Sequence, residues 1–263
     1  MSWTEVADGV FARRYEELDL TTGLVLGADR CLVIDTRGDV DQGAEFAAAV
    51  REITDLPWSV VYTHAHFDHA FGTTPFLPCD VWAHAGCLPA MLRDGESDKR
   101  KWADRYRKDG KPEIADALDR TGLMPPDRLV DDRAELDLGG RTVAFVHPGL
   151  AHTDHDLLVH VPDASVVFAG DVVEHGPDGF TAYSFNAETA LGAWALAMDA
   201  LLALNPDLVV PGHGDPVDQA FVRKHRDGLL RLHELKTAKT PLAEALEAAP
   251  YPADVTKAAL GFS

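Results

Sequence analysis

Four side chains that bind metal ions well lie within the six residues of His64–His69. They are three histidines and one aspartate, and imidazole together with carboxylate suits zinc or iron. The segment follows the apolar run Trp58–Tyr62, which predicts a short buried strand. In an extended chain His64, His66 and Asp68 would face one side, and the fourth ligand would join them only at a bend. The pattern predicts a metal site at the end of a strand.

Three later segments repeat this layout, an apolar run that ends in a possible metal ligand. The ligands after the runs at 143–146, 166–170 and 208–212 are His152, Asp171 and His213. Glycine or proline just before each ligand lets the backbone turn sharply and direct the side chain over the edge of a sheet. One histidine or aspartate after a strand usually caps or closes a loop, whereas seven candidates at four strand ends indicate a common centre.

Seven ligands are enough for two metal ions that keep open coordination positions, with one carboxylate as a bridge. Such pairs of ions lie about 3.5–4 Å apart in hydrolytic sites. The predicted sets are His64, His66 and His152 for the first ion, Asp68, His69 and His213 for the second ion, and Asp171 as the bridge.

The elements that must position these residues alternate between short strands and helices. Residues 8–35 predict an antiparallel meander at the start of a sheet. Val40–Ile53 has helical spacing, and Asp39 or Asp41 would cap this helix. The strand at 58–62 follows, so the first ligand cluster would lie at the carboxyl end of a strand in a β-α-β unit, where α/β sheets usually bind ligands.

A charged stretch interrupts this alternation after the short strand Val81–Ala83 and a helix predicted over 84–93. Residues 94–127, which contain Trp102 and Tyr106, predict one or two surface helices inserted into the fold. These helices would either form a lid over the site or lie in solvent without contact to the substrate.

The second half of the chain returns to strands and ends in helices. Gly139-Gly140 between two β-like runs predicts a hairpin, and two further strands are predicted within 157–169. A helix is predicted from about Glu188 to Leu204, and mostly helical structure over 216–260. No low-complexity linker divides the chain, so we expect one domain over residues 1–263.

Composition restricts the partners of the protein. Acidic residues outnumber basic ones, 43 to 24, which gives a formal charge of −19. Nucleic acid or an anionic membrane would need a basic face, so we expect neither as a partner and expect a small-molecule substrate instead. No signal-peptide pattern and no apolar run of about 18 residues is visible, and Cys31, Cys79 and Cys87 have no C-x-x-C partner. These features predict a cytoplasmic protein without disulfides.

The ordered ligand set resembles that of the metallo-β-lactamase-fold hydrolase superfamily. The resemblance covers about residues 8–215 and includes the motif His64-x-His66-x-Asp68-His69 and the three later ligands. It implies an α/β (α+β) fold, the αββα sandwich, in which two mixed β-sheets pack face to face with helices outside. It also implies a metal site at one edge between the sheets, with the same division of ligands as above.

The resemblance and the ligand types together predict a hydrolytic mechanism. Two zinc ions per chain, or iron or manganese in their place, would bring the pKa of a shared water near neutrality, and the hydroxide would attack a substrate carbonyl. One ion would stabilise the developing oxyanion. Asp68 could also orient the hydroxide or carry its proton. Tyr183 could reach the substrate oxygen, or could be a packed surface aromatic.

The resemblance fixes the site but not the substrate. In lactamases whose second metal has a cysteine ligand, a lysine three residues further on pairs with the carboxylate of the drug. The matching stretch here is Phe168–Asp171, and Glu174 stands in place of that lysine. Like charge there would repel an anionic β-lactam, so we rank β-lactam hydrolysis low as an alternative.

Asp171 and the complete ligand set fit the glyoxalase-II-like and lactonase branches better, which predicts a small ester, thioester or lactone as substrate. Ala70-Phe71-Gly72 departs from the Gly-Gly pair that those branches often carry. Basic residues Arg223, Lys224 and Arg226 could still meet an anionic tail of the substrate. A mononuclear iron sulfur dioxygenase and a metal-binding scaffold without turnover are the remaining alternatives.

Other polar residues near the ligands could support them through hydrogen bonds or line the pocket. Each also has an ordinary structural interpretation, as a turn, cap or surface residue. These residues are Asp35, Thr63, Thr153, His155 and His175.

Overall fold

The computed structural model describes residues 2–177, 179–186 and 189–262, and its strands form two mixed β-sheets. The first sheet has seven strands that lie side by side in chain order. They are β1 (Thr4–Ala7), β2 (Val10–Arg14), β3 (Thr21–Leu26), β4 (Cys31–Ile34), β5 (Trp58–Val61), β6 (Val81–His84) and β7 (Arg128–Val130). The first four are antiparallel, and β4 to β7 run parallel to one another.

The second sheet has five strands in the order β12-β11-β10-β9-β8. They are β8 (Arg133–Asp137), β9 (Thr142–Val146), β10 (Leu158–Val161), β11 (Val166–His175) and β12 (Leu208–Gly214). Neighbours β8 to β11 pair antiparallel, and β11 pairs with β12 in parallel. The parallel pair brings Asp171, within β11, and His213, near the end of β12, to the same region of the sheet.

Helices connect the strands and cover the outer faces of both sheets. They are α1 (Val40–Ile53), α2 (Phe67–Ala70), α3 (Cys87–Lys108), α4 (Pro112–Arg120), α5 (Leu191–Ala203), α6 (Gln219–Thr237), α7 (Leu242–Ala248) and α8 (Ala253–Leu260). None of the helices in the described part of the chain is both long enough and apolar enough to cross a lipid bilayer.

Three buried clusters show how the layers pack. Residues such as Ile34 from the first sheet and Phe145 from the second meet in a cluster between the sheets. A second cluster joins the outer face of the first sheet to α1, α3 and α4, with Phe46 at its centre. A third joins the outer face of the second sheet to α5, α6 and α8, around Trp194. The predicted αββα sandwich is therefore confirmed.

Local sequence signals account for several of these elements. The helix predicted over Val40–Ile53 forms with those bounds, and Asp39 is its N-cap. The Asp39 carboxylate accepts hydrogen bonds from the backbone N–H groups of Asp41 and Gln42, which would otherwise lack partners at the start of a helix. The hairpin through Gly139-Gly140 and the helices within 216–260 are also present.

The inserted segment differs from its predicted bounds. Instead of ending near residue 93, the helix after β6 runs unbroken as α3 over Cys87–Lys108, because its charged residues are good helix formers and Gly95 does not interrupt it. The short α4 follows, and the insertion ends in β7 (Arg128–Val130), an edge strand that the sequence analysis missed. Exposed residues dominate that strand, so it has no clear alternation of apolar and polar side chains.

Other predicted bounds also need correction. β11 continues through Asp171 to His175, whereas the apolar run predicted an end at Ala169. It continues because its pairing with β12 extends to His175. The helix predicted from about Glu188 forms over Leu191–Ala203, and Glu188 itself lies outside the described residues.

Candidate metal centre

The first ligand cluster lies where the chain leaves β5 and bends into α2. β5 ends at Val61, residues 63–65 form a bend, and Phe67 begins the helix. The predicted alternation of an extended strand is therefore wrong for the whole segment His64–His69. A turn of helix places Asp68 and His69 beside each other, which is how His69 reaches the centre despite its place in the sequence.

The structure brings all seven sequence-predicted ligands together in two groups. Ligand atoms within each group lie within 4.8 Å of one another. The groups are His64, His66, His152 and Asp171, and Asp68, His69 and His213. This is the division that the sequence analysis predicted, with the bridging aspartate counted in the first group.

Asp171 lies between the two groups. Its Oδ1 is 3.2 Å from His69 Nε2, and its Oδ2 is 3.3 Å from His213 Nε2, both in the second group. The same Oδ2 is 3.6 Å from His152 Nε2 and 3.7 Å from His64 Nε2, both in the first group. Ligand atoms around a tetrahedral zinc ion, with bonds of about 2.1 Å, are about 3.4 Å apart. The spacing therefore fits two ions that share this carboxylate.

The outer ring nitrogens of several histidines have fixed hydrogen-bond partners. His69 Nδ1 donates to Asp35 Oδ2 at 2.8 Å, and His213 Nδ1 donates to the Leu18 carbonyl at 2.8 Å. His152 Nδ1 donates to the Ser184 carbonyl at 3.2 Å. A nitrogen that donates here carries a proton, so in the neutral form of each ring the lone pair is on Nε2, which faces the centre.

Asp35 fixes a second imidazole through Thr63. Its carboxylate accepts hydrogen bonds from the Thr63 backbone N–H at 2.7 Å and from the Thr63 hydroxyl at 2.9 Å. Because this hydroxyl donates to Asp35, it can only accept from His64 Nδ1, 3.1 Å away. Asp35 and Thr63 therefore make the supporting contacts that the sequence analysis considered for them.

Two buried atoms at the centre have no hydrogen-bond partner within the described residues. They are His64 Nε2 and Asp171 Oδ1. A buried polar atom without a partner is costly and usually has an unseen one, such as a metal ion. The donor set of imidazoles and carboxylates is also the type that binds zinc and iron, so the residues present fit a metal pair.

The electrostatics of the two ligand groups differ. Burial lowers the pKa of His152 to about 3. Burial opposes protonation of His213 as well, but the Asp171 and Asp68 carboxylates raise the pKa of His213 to about 10. The surrounding imidazoles hold the pKa of Asp171 well below its usual range despite its burial. The second group therefore attracts a cation, either protons or a divalent ion.

Two glycines let the backbone bring Asp171 to this position. Gly170 has φ +51°, and a Cβ there would lie 2.6 Å from Thr63 Cβ. A Cβ on Gly212 would lie 2.0 Å from Asp171 Oδ1. Larger residues would displace the strand ends that carry the ligands, which explains glycine before the ligand in both segments.

A cavity of about 640 Å³ opens from the metal-ligand groups towards solvent. One wall is α3, which contributes Trp102, Arg105 and Tyr106, so the inserted segment lies over the site and not away from it. Tyr183 also lines the cavity and is 72% exposed, with its ring centre 6.4 Å from that of Trp102.

Three residues that the sequence analysis considered near the ligands make other contacts. His155 Nδ1 pairs with Asp154 at 2.6 Å, and the Thr153 hydroxyl accepts from the His155 backbone N–H. His175 Nδ1 donates to the Asp215 carbonyl at 2.9 Å. None of the three is among the described residues that line the cavity, so their hydrogen bonds stabilise the local fold and do not contact a substrate.

Glu174 requires a correction to the charge argument against β-lactams. It is 4% exposed, lines the cavity and accepts a hydrogen bond from the Ser184 hydroxyl at 2.7 Å. Burial, together with the nearby Asp171 carboxylate, raises the pKa of Glu174 to about 8. This value applies without metal ions, and two divalent cations at the adjacent ligands would favour the ionised form. The charge of Glu174, and with it the repulsion of an anionic drug, therefore depends on the metal content of the centre.

The basic residues considered for an anionic tail lie elsewhere. Arg223, Lys224 and Arg226 are on α6 and do not line the cavity. Arg226 is paired with Asp199 and Asp227. The cations that do line the cavity are Lys101, Arg105 and Lys111. The spacing of Lys101, Trp102, Arg105 and Tyr106 on one helix face is the signal that could have found this wall.

The supporting carbonyls of Leu18 and Ser184 had no signal in the sequence, because every residue type has a backbone carbonyl. The side-chain partner Asp35, in contrast, stands at a strand end like the ligands themselves. Contacts through side chains could therefore be anticipated, and contacts through the backbone could not.

The chain is similar in sequence to one protein family and to several known proteins. The sequence profile of the metallo-beta-lactamase superfamily matches residues 19–213. A linear primary-alkylsulfatase from Pseudomonas sp. (strain ATCC 19151) is 26% identical over 239 residues, which cover 77% of this chain and 44% of that protein. The probable metallo-hydrolase YqgX from Bacillus subtilis (strain 168) is 28% identical over 206 residues, covering 74% of this chain and 84% of that protein.

Solved structures share the fold. The stereoselective inverting sec-alkylsulfatase Pisa1 from Pseudomonas sp. superposes with a TM-score of 0.76 at 16% identity, over 98% of this chain and 49% of that one. This chain thus spans less than half the length of either alkylsulfatase. Because the family profile covers most of the chain, including all seven candidate ligands, the protein belongs to the metallo-beta-lactamase superfamily.

Proposed function

We propose that the protein is a hydrolase with two zinc ions per chain, which acts on the carbonyl of a small-molecule ester, thioester or lactone. The observation that carries this proposal is the position of Asp171. Its buried carboxylate lies 3.2–3.7 Å from four imidazole nitrogens, two from each ligand group. That arrangement supports one carboxylate shared by two ions, as hydrolytic two-metal sites require.

Each residue of the centre has a proposed role. His64, His66 and His152 would hold the first ion, Asp68, His69 and His213 the second, and Asp171 both. When bound, the ions would supply an activated water near neutral pH and an electrophile for the carbonyl oxygen. Zinc suits the histidine-rich set best, and iron or manganese could replace it.

Residues of the chain would position the reactants. Asp68 lies at the cavity floor, where its carboxylate could orient the attacking water or accept its proton. Asp35 keeps His69 in one orientation and one protonation state. Tyr183, at the cavity mouth, could donate its phenol hydrogen to an oxygen of the substrate.

A sulfate ester is a second candidate substrate. The alkylsulfatase relative is similar over 77% of this chain, which supports testing sulfate esters beside carboxylic esters. β-Lactams, a mononuclear iron dioxygenase reaction on sulfur, and metal binding without turnover are the remaining alternatives. Cys31, Cys79 and Cys87 are free thiols, which supports a reducing, cytoplasmic location.

The test combines metal content with a substrate panel. Plasma emission spectrometry should find two metal ions per chain, and the loaded protein should hydrolyse carboxylic esters, thioesters or lactones in preference to sulfate esters, β-lactams and phosphodiesters. Replacement of His66 by alanine (His66→Ala) should abolish turnover and leave the far-UV circular dichroism near native, because His66 lies at the edge of the cavity.

The matched control is His175→Ala, since the His175 ring does not line the cavity and instead donates to the Asp215 carbonyl and packs on the Phe221 ring. It should retain wild-type turnover. Full activity in His66→Ala would refute the assignment of the metal centre. Two bound ions without turnover of any substrate would instead favour the scaffold alternative.

A further inference from the structure

Three cations and several aromatic rings line the cavity on the side of α3. The cations are Lys101, Arg105 and Lys111. Carboxylates line the same side of the cavity, so a cation there can meet a ligand only where it is not already paired with one of them. These carboxylates are Glu17, Asp19, Asp98 and Asp109. The position of the cations suggests a role towards a ligand.

Two of these cations form ion pairs with carboxylates, and within the described part of the chain the third does not. Lys111 pairs with Glu17 at 2.6 Å, and Arg105 Nε pairs with Asp109 at 2.7 Å. Lys101 has no ion-pair partner among the described residues, not even Asp98 one helical turn earlier. Its ammonium and the outer nitrogens of Arg105, four residues on, are thus available on one face of the helix.

Aromatic rings lie between this face and the metal-ligand groups. Trp102 stacks on Phe67 with ring centres 4.3 Å apart, and Phe67 is the residue between the ligands His66 and Asp68. The Tyr183 ring lies beside Trp102, with ring centres 6.4 Å apart. A ligand that extends from the metal centre to Lys101 would therefore pass along aromatic surface before it meets the cations.

We propose that Lys101, with Arg105, binds an oxyanion on the substrate at a distance from the bond that is broken, and that Trp102 and Tyr183 flank the apolar part between them. The substrate class is then an ester, thioester or lactone with an anionic end, such as a carboxylate-terminated acyl chain. This inference rests on the proposed function, because it assumes that the reacting bond lies at the metal centre.

Binding of non-reactive acids tests the inference without turnover. Calorimetry on the zinc-loaded protein compares each dicarboxylate from succinate to suberate with the monocarboxylate of equal length. One carboxylate can meet the metal in both, so the difference reports the second anion. We expect the best dicarboxylate to bind about fivefold more tightly, in the range of an exposed ion pair. The preference should shrink as salt is raised to about 0.5 M.

Matched variants of α3 assign this preference to one residue. Lys101→Met should remove it. Lys108→Met changes the same charge on the same helix outside the cavity lining, and should retain it. The inference is overturned if the wild type shows no preference, if the preference survives in Lys101→Met, or if both variants lose it equally.

Turnover of matched esters separates this inference from the proposed function. The 4-nitrophenyl monoesters of the same dicarboxylic acids are compared with the neutral 4-nitrophenyl esters of equal length. The ratio of kcat/KM for anionic to neutral esters should fall about fivefold in Lys101→Met. Absence of metal-dependent hydrolysis of every ester would contradict the proposed function, whereas hydrolysis without an anionic preference would contradict only the role of Lys101.

Discussion

At the scale of single residues, Asp35 has the widest influence on the candidate ligands. Its carboxylate accepts three hydrogen bonds, two from Thr63 and one from His69 Nδ1. Through Thr63 it also orients His64, so one buried residue supports a ligand in each group. Asp35 has φ +60°, a region that aspartate and asparagine tolerate better than most residues.

Asp35→Asn should weaken metal binding by about 10- to 100-fold. The amide NH₂ must face either His69 Nδ1–H or a Thr63 donor, and two donors in contact repel each other. Because asparagine keeps the same backbone preference, the loss would report the hydrogen bonds. Competition with a chromogenic chelator measures the affinity.

Asp163→Asn is the control for this substitution. Asp163 pairs with Arg141 at the surface, in the turn between β10 and β11. We expect wild-type metal affinity for this variant. If Asp35→Asn also binds metal like the wild type, Asp35 does not support the ligands in the way that its hydrogen bonds indicate.

Residue types at this scale were predictable, but their geometry was not. The seven candidate ligands that the structure brings together could be selected from the sequence, because histidine and aspartate after apolar runs are distinctive. The sequence showed that His69 could join the other ligands only at a bend, but it did not predict the form of that bend, a turn of helix that begins at Phe67. The sequence placed Glu174 near the ligands, but it did not predict that this carboxyl is buried, and burial affects its charge.

At the scale of elements, close packing of α1 against the turn at 71–76 holds the segment that carries the first ligands. A Cβ on Gly43 of α1 would lie 1.9 Å from the Gly72 carbonyl oxygen. The same turn follows His69, whose carbonyl accepts a hydrogen bond from the Thr36 backbone N–H at 2.7 Å. The helix therefore approaches the ligand segment as closely as a glycine allows.

Gly43→Ala should lower the free energy of unfolding by about 1–3 kcal/mol. Helix propensity alone would favour alanine by about 1 kcal/mol, so a destabilisation would show that the steric conflict dominates. The midpoint of urea unfolding, with an unchanged m-value, measures this difference.

Gly95→Ala in α3 is the matched control. A Cβ there would meet Leu123 Cδ1 at 2.7 Å, which is the end of a flexible side chain that can move. We expect this variant to be neutral or stabilised by up to about 1 kcal/mol. Equal effects of the two substitutions would contradict the close approach of α1 to the turn.

A buried histidine on α6 makes stability depend on pH away from the metal centre. His225 stacks on Phe221 with ring centres 4.3 Å apart, and its ring contacts Phe180. Burial, with a smaller effect of Lys224, lowers the pKa of His225 from 6.5 to about 4. The folded protein therefore holds this imidazole neutral, and its contribution to stability is present above pH 6.5 and lost as pH falls towards 4.

His225→Phe should remove this dependence and keep the ring packing. Between pH 7.5 and pH 5, the wild type should lose about 2 kcal/mol of unfolding free energy relative to the variant. Urea unfolding of both proteins at pH 7.5 and at pH 5 gives the difference in unfolding free energy between them at each pH. His233→Phe, at an exposed position of the same helix, should follow the wild type. A constant difference between wild type and His225→Phe would contradict a buried neutral imidazole.

Elements with strong local signals were predictable, and those that depend on partners were not. Val40–Ile53 combines helical spacing with a capping aspartate, so its bounds follow from the sequence. β11 extends to His175 because β12 pairs with it, and a partner strand leaves no mark on the apolar run. The face that α3 turns to the cavity also depends on tertiary packing.

At the scale of the whole molecule, the two sheets bring together ligands that are far apart in sequence. His64 follows a strand of the first sheet, whereas Asp171 and His213 are carried by strands of the second. The apolar cluster between the sheets, which includes Val61 and Phe168, holds these strand ends in place. The predicted sandwich came from the family resemblance, since hydrophobic patterns alone did not define which strands share a sheet.

The central claim is that Asp171 joins two metal ions. Anomalous diffraction at the zinc edge, from crystals of the zinc-loaded protein, tests it directly. We predict two peaks about 3.5–4 Å apart, one contacted by His64, His66 and His152 and the other by Asp68, His69 and His213, with Asp171 in contact with both. A single peak, or two peaks of which only one contacts Asp171, would contradict the proposed centre.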